Sequence, residues 1–156
     1  MRSSPLYRAF RADKLNLSAL QSTLIQYLDG DAESIPVIHM LRMTGDVIRR
    51  RCEEIASGVR GSEIATGIVA VESVIGGGTT PASTLPSHAL ALKHARLNAS
   101  MLLDMLRRVD PPIIGRVEEE RVLLDLRTVE PEFDPFLIGT LRQPVESWPG
   151  ASREQH

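Results

Sequence analysis

The residues of this chain best suited to chemistry are arginines. In "PLYRAFRADK", Arg8 and Arg11 stand three residues apart, with Lys14 three further on. On a helix all three project to one side as a compact cationic cluster. Guanidinium groups are permanently charged, forked donors, so the cluster suits a phosphate or carboxylate. The same spacing also suits a solvated face paired with Asp13 or a glutamate, and on spacing alone that plainer reading comes first. Arg127 is different, because it lies in the apolar run "VLLDLRTV". A buried arginine needs a partner, and a substrate carboxylate is one candidate.

The glycine triplet in "VESVIGGGTTPASTLPS" asks for a second reading. Gly76, Gly77 and Gly78 follow a β-rich run, as in a phosphate cradle, but Thr79 and Thr80 come next and no lysine lies nearby. A P-loop needs that lysine, and a dinucleotide fingerprint needs a glycine where Pro81 stands. The triplet therefore reads as a structural loop requiring positive φ or close backbone approach. Cys52 falls on an apolar helical stripe and reads as a small buried hydrophobe. His39, His88, His94 and His156 show no ligand spacing with one another or with Cys52, so no metal site is expected. Ser87 in "LPSHAL" lacks the glycine frame of a nucleophile elbow.

The bulk composition narrows the class. With 156 residues, 42% hydrophobic and 24% charged, the chain is long enough for one domain with a real core. The net charge of −2 argues against sequence-independent DNA or RNA binding by this chain itself. No stretch approaches the roughly 18 apolar residues of a membrane span, and the first residues carry no apolar signal region. A single cysteine suits a reducing, cytoplasmic setting. The basic residues are sixteen arginines and only two lysines, Lys14 and Lys93, so lysine chemistry has two seats.

Periodicity supplies the elements that must position these residues. Leu17, Leu20, Leu24 and Leu28 mark a first helix, with Asp13 as N-cap and Gly30 as its stop. From Pro36 one longer helix is expected, striped by Leu41, Thr44, Ile48, Cys52, Ile55 and Val59 and ended by Gly58 or Gly61. Residues 66–75 read as a strand, 89–92 as a second, and 95–109 as a helix stopped by Pro111 and Pro112. "IIGRVEEERVLLDLRTV" reads as a hairpin around a charged turn. "PEFDPFLIGTLRQ" reads as a short closing helix with an acidic first turn, and residues from Pro144 onward as a mobile tail. The pattern is α+β: a two-layer small sheet with helices packed mainly on one face, whose other face calls for another domain or subunit.

Taken in order, "PLYRAFRADKLNLSALQSTLIQYL", "IPVIHML", "ESVIGGGTTPASTLPSHALAL" and "PPIIGRVEEERVLLDLRTVEPEFD" resemble the C-terminal third of bacterial selenocysteine synthase, the L-seryl-tRNA(Sec) selenium transferases. The resemblance covers roughly residues 5–143. "ESVIGGGTTPAS" and "LRTVEPEFDPFL" are also similar to the small domain of pyridoxal-phosphate (PLP) enzymes of cysteine and methionine metabolism.

The resemblance implies the small C-terminal domain of a fold-type I PLP enzyme. Residues 1–30 would be a linking segment and helix, 31–143 the small domain, and 144–156 a flexible tail. It implies a cytoplasmic, oligomeric transferase of selenocysteine biosynthesis, acting on seryl-tRNA(Sec) with selenophosphate. Arg8 and Arg11 match family arginines near where the oxyanion of the selenium donor or a phosphate leaving group would bind, and Lys14 matches a neighbouring lysine that is not the Schiff-base residue. Arg127 matches the superfamily's carboxylate-binding arginine. The family's PLP lysine, cofactor-phosphate loop, pyridine-nitrogen aspartate and tRNA-binding region all lie upstream of the segment matching "PLYRAFRADK". The expectation is therefore a fragment with no catalytic residue of its own, which does not hold PLP alone and pairs with a large domain or a second copy. Two alternatives stand beside it: a related PLP enzyme acting on a small amino or sugar-acid substrate, and a non-catalytic assembly or regulatory module.

Overall fold

A computed structural model describes residues 13–76 and 84–149. The chain divides into two compact units, residues 1–42 and 43–156, whereas the sequence reading placed its division after residue 30.

In the first unit, helix α1 spans Lys14–Leu28. Asp13 caps it, accepting from the Leu15 N–H at 3.4 Å, and Gly30 follows its end at φ +80°. That left-handed conformation costs glycine little and stops the helix. Leu17, Leu20, Leu24 and Leu28 are all exposed, and no residue of α1 is buried. A 3-10 turn at Ala32–Ser34 leads into helix α2, Pro36–Arg42. There the Arg42 guanidinium beside Glu33 holds that carboxyl below its ordinary range.

The second unit carries the sheet. Helix α3 spans Gly45–Gly58, so the single helix expected from Pro36 is two helices broken at Met43–Thr44. The break has a local cause and a distant one. Thr44 is extended and its hydroxyl caps α3 by accepting from Val47 N at 3.4 Å. Val47 N would serve the Met43 carbonyl in an unbroken helix, and that carbonyl instead accepts from Arg127. Thr44 is thus a cap rather than part of the stripe, while Ile48, Cys52 and Ile55 bury the face that the periodicity marked.

Strands β1 (Ile64–Val74) and β2 (Thr84–His94) pair antiparallel, with Val74 opposite Thr84. Helix α4 follows at Ala99–Arg107, capped by Asn98. Strands β3 (Arg116–Glu118) and β4 (Arg121–Asp125) form the hairpin. Glu119 and Glu120, both at positive φ, make its turn. The sheet order is β1-β2-β4-β3, antiparallel throughout. Pro86, which has no N–H to give, sits on β2 beyond the residues that β4 pairs, where it breaks no ladder bond on that side. Helix α5, Asp134–Arg142, closes the element order apart from a 3-10 turn at Val145–Ser147.

Directly paired residues share a face of the sheet. Ile68, Leu90 and Leu124 lie on one face, which packs with Ile48, Leu102, Leu106 and Leu141 from the helices into the main core. Val69, Ala89 and Asp125 lie on the other, where Ala89, Ala91 and Leu123 form a smaller buried cluster. The α+β reading with helices mainly on one face therefore describes the unit. Pro144 does not begin a mobile tail over the described residues. Val145 and Trp148 are both 3% exposed and belong to the main core, because large apolar side chains gain about 1.5–3 kcal/mol from burial.

Candidate functional site

The chemistry-bearing side chains of the second unit gather where β4 ends. The sequence reading placed Arg127 inside a strand; it stands instead on a 3-10 turn, Leu126–Thr128, immediately after β4. The turn forms because Asp125 accepts from the Arg127 backbone N–H at 3.1 Å, the local side-chain-to-backbone bond by which aspartate folds a chain back. Arg127 is 4% exposed. Its Nη1 donates to the Met43 carbonyl at 2.6 Å and its Nη2 to the Pro86 carbonyl at 2.7 Å. One guanidinium thereby ties the entry to α3 and the first half of β2 to its own turn.

Asp125 is the second member. Besides the Arg127 N–H it accepts from the Ser87 hydroxyl at 3.1 Å and from the Ser73 hydroxyl. Ser73 lies near the end of β1 and Ser87 near the start of β2, so one carboxylate receives donors from both strands that flank the glycine segment. Gly76 has φ +62°, a conformation that disfavours any side chain. Gly77 and Gly78 lie outside the described residues. His88 Nδ1 is 3.0 Å from the Gly45 carbonyl, and since a carbonyl only accepts, the proton is on Nδ1.

A second arginine braces the same turn from below. Arg51 on α3 donates Nη1 to the Leu126 carbonyl at 3.0 Å, and Nε and Nη2 to Asp134 at 2.6 and 2.7 Å. A hollow of about 470 Å³, walled by apolar side chains including Ile114, Phe133 and Phe136, reaches Asp125 beside the turn.

Residues 1–130 match the profile of L-seryl-tRNA selenium transferase. The chain belongs to that family. The L-seryl-tRNA(Sec) selenium transferase of Moorella thermoacetica is 37% identical over 94% of this chain and 32% of its own length. That of Alkaliphilus oremlandii is 32% identical over the same shares. That of Aquifex aeolicus is 36% identical over 83% of this chain and 29% of its own. The chain thus spans about a third of the length of these relatives.

Arg8 and Arg11, the residues expected at the selenium donor, lie outside the described residues. Arg127 is placed, but among backbone carbonyls. Asp125, Ser73 and Ser87 were not singled out as site residues, although Ser73 and Ser87 bracket the glycine segment and Asp125 stands two residues before Arg127. Each is a polar side chain at an alternating position of its strand.

PLP, which the resemblance implies, can be tested against the lysines. Lys14, in the first turn of α1, is exposed. Lys93 is exposed on β2 and lines an open cavity of about 540 Å³ with Arg96, Asn98 and Glu120. A PLP site needs a lysine amine, a carboxylate for the pyridine nitrogen and a phosphate cradle in one enclosed place. The described residues do not fit that group. Among them no helix is long and apolar enough to cross a membrane, and no group of three or more His, Cys, Asp or Glu side chains could hold a metal ion. Cys52 is buried, and burial pushes its thiol up to about 12.

Proposed function

We propose that this chain is the small-domain portion of a selenocysteine synthase, working in the conversion of seryl-tRNA(Sec) to selenocysteinyl-tRNA(Sec) with selenophosphate. The observation that carries the reading is the ordered match of most of the chain to that family. In the family resemblance PLP supplies the chemistry, and the rest of the enzyme holds it. This chain's own share is to bind and orient. Arg8 and Arg11 would hold the oxyanion of the selenium donor, and the turn at Leu126–Thr128 with the glycine segment would frame the mouth of the site.

The hydrogen bonds of Arg127 favour the esterified substrate over a free amino or sugar acid. A free acid would need the guanidinium as its carboxylate receptor, whereas one N–H of each terminal nitrogen is committed to the Met43 and Pro86 carbonyls, which anchors the group within the fold. By this reading Arg127 is a clamp. The chain by itself binds no PLP covalently, works in the cytoplasm, and assembles with a large domain, or with a second copy, before any turnover occurs.

A graft tests the proposal. This chain replaces the matching third of the Moorella thermoacetica selenium transferase, and conversion of seryl-tRNA(Sec) is measured. Turnover by the graft, with Arg8→Ala and Arg11→Ala raising the KM for selenophosphate, is the expected result. A folded, PLP-loaded graft that converts no seryl-tRNA(Sec) but accepts a small amino or sugar acid would overturn it. A borohydride-stable PLP adduct on the isolated chain, lost in Lys14→Ala, would overturn the statement about the cofactor.

A further inference from the structure

The three donors to Asp125 come from three separate places in the sequence: Ser73 on β1, Ser87 on β2 and the Arg127 amide after β4. Ser73 stands opposite Leu85 and Val71 opposite Ser87. The two hydroxyls are therefore diagonal neighbours on the face that also carries Asp125, where cross-strand side chains can meet. The bond from Arg127 Nη2 to Pro86, the residue before Ser87, closes the group into a ring. Ser87 is 3% exposed and Arg127 4%, so water does not readily replace these bonds. Charge-assisted bonds to a carboxylate are about twice as strong as neutral ones.

The carboxylate is not what pairs β1 with β2. β1 and β2 are already paired from Ile64–His94 to Val74–Thr84. What backbone pairing cannot fix is the place of the 3-10 turn relative to the ends of those strands, because β4 pairs with β2 only from Ala89 to Leu92. Beyond that point side chains alone make the link.

We propose that Asp125 is a positioning residue: it locks the β1 and β2 ends that flank the glycine segment to the turn carrying Arg127, so that the two move as one body. Its functional meaning rests on the reading that these segments frame the reaction site. The coupling itself belongs to this chain and is measurable without any substrate.

The test is hydrogen exchange on the whole chain, followed in peptides covering 68–76, 84–90, 43–48 and 126–130. Asp125→Asn keeps one acceptor oxygen and the shape, and Asp125→Ala removes both. Asp125→Ala should speed exchange on the order of tenfold in all four peptides. Asp125→Asn should give a smaller increase in the same four, a partial rescue that a mere volume effect would not produce. A cycle with Ser73→Ala and Ser87→Ala supplies the second readout. Coupling predicts that the serine changes speed exchange in the wild type and add almost nothing once Asp125 is alanine.

Additive effects, or acceleration confined to the 126–130 peptide, would overturn the proposal. Should Asp125→Ala unfold, the serine changes combined with Asp125→Asn carry the same cycle. If coupling is found while the graft converts no seryl-tRNA(Sec), the positioning role stands and the selenium-transfer reading falls.

Discussion

Replacing Arg127 by lysine separates a clamp from a substrate receptor. The guanidinium places two nitrogens on two carbonyls, Met43 at 2.6 Å and Pro86 at 2.7 Å, in a position 4% exposed. A lysine ammonium has three N–H donors but only one nitrogen, so it cannot occupy the two positions that the planar guanidinium sets against the two carbonyls. A hydrogen bond from a charged group contributes about 1.5–3 kcal/mol, so Arg127→Lys should cost about 2 kcal/mol. With a urea m-value of about 2 kcal/mol/M, the unfolding midpoint falls by about 1 M. Arg127→Met loses both bonds and leaves both carbonyls short of a partner, so it should fall further. The assay is equilibrium urea unfolding followed by circular dichroism, with no ligand present. A receptor arginine behaves in the opposite way. Its removal leaves stability unchanged or raises it, since binding groups are held at a cost to the fold. A change of less than about 0.5 kcal/mol in both variants would refute the clamp. So would a rise in the wild-type midpoint on adding free serine that both variants lack.

Three further outcomes follow from the packing. Cys52 should resist iodoacetamide at pH 8 in the folded chain and react readily in urea. Because its thiol is pushed from 9.0 to about 12, its contribution to stability is full below pH 9 and is lost as pH rises toward 12; a flat stability profile across that range would contradict this. Gly115→Ala should destabilise by about 1–3 kcal/mol, because a Cβ there would meet the Leu124 side chain at 2.7 Å and the Leu123 carbonyl at 2.8 Å; thermal unfolding of the variant measures it. Trp148→Ala should cost about 3–5 kcal/mol, since the indole is buried in the main core, and an unchanged melting temperature would return residue 148 to a tail.

Local pattern alone was enough for α1, the buried stripe of α3 and the β3–β4 hairpin. The stripe Ile48, Cys52, Ile55 has one periodicity and one way to be buried, and Asp13, Gly30 and the charged turn of the hairpin act through bonds to near neighbours. The family, too, is legible in the order of the motifs. The helix break at Met43 was not, because its deciding partner, Arg127, lies 84 residues away. The end of β4 was half legible: Asp125 can fold the chain back locally, but nothing nearby tells that the same carboxylate will also take Ser73 and Ser87.

The candidate site divides in the same way. Sequence determined which residue types are present: two lysines, a pair of N-terminal arginines, a glycine segment between serines, and an aspartate two before an arginine. It could not determine what each side chain meets. An arginine in an apolar run must find a partner, and composition gives no preference between a substrate carboxylate and two backbone carbonyls. Only the tertiary fold decides, because the antiparallel register carries Pro86 and Ser87 to the turn and the entry to α3 presents the Met43 carbonyl there. Trp148 follows the same rule: its burial depends on a core surface made of residues distant in the chain, which no local pattern near the C-terminus records.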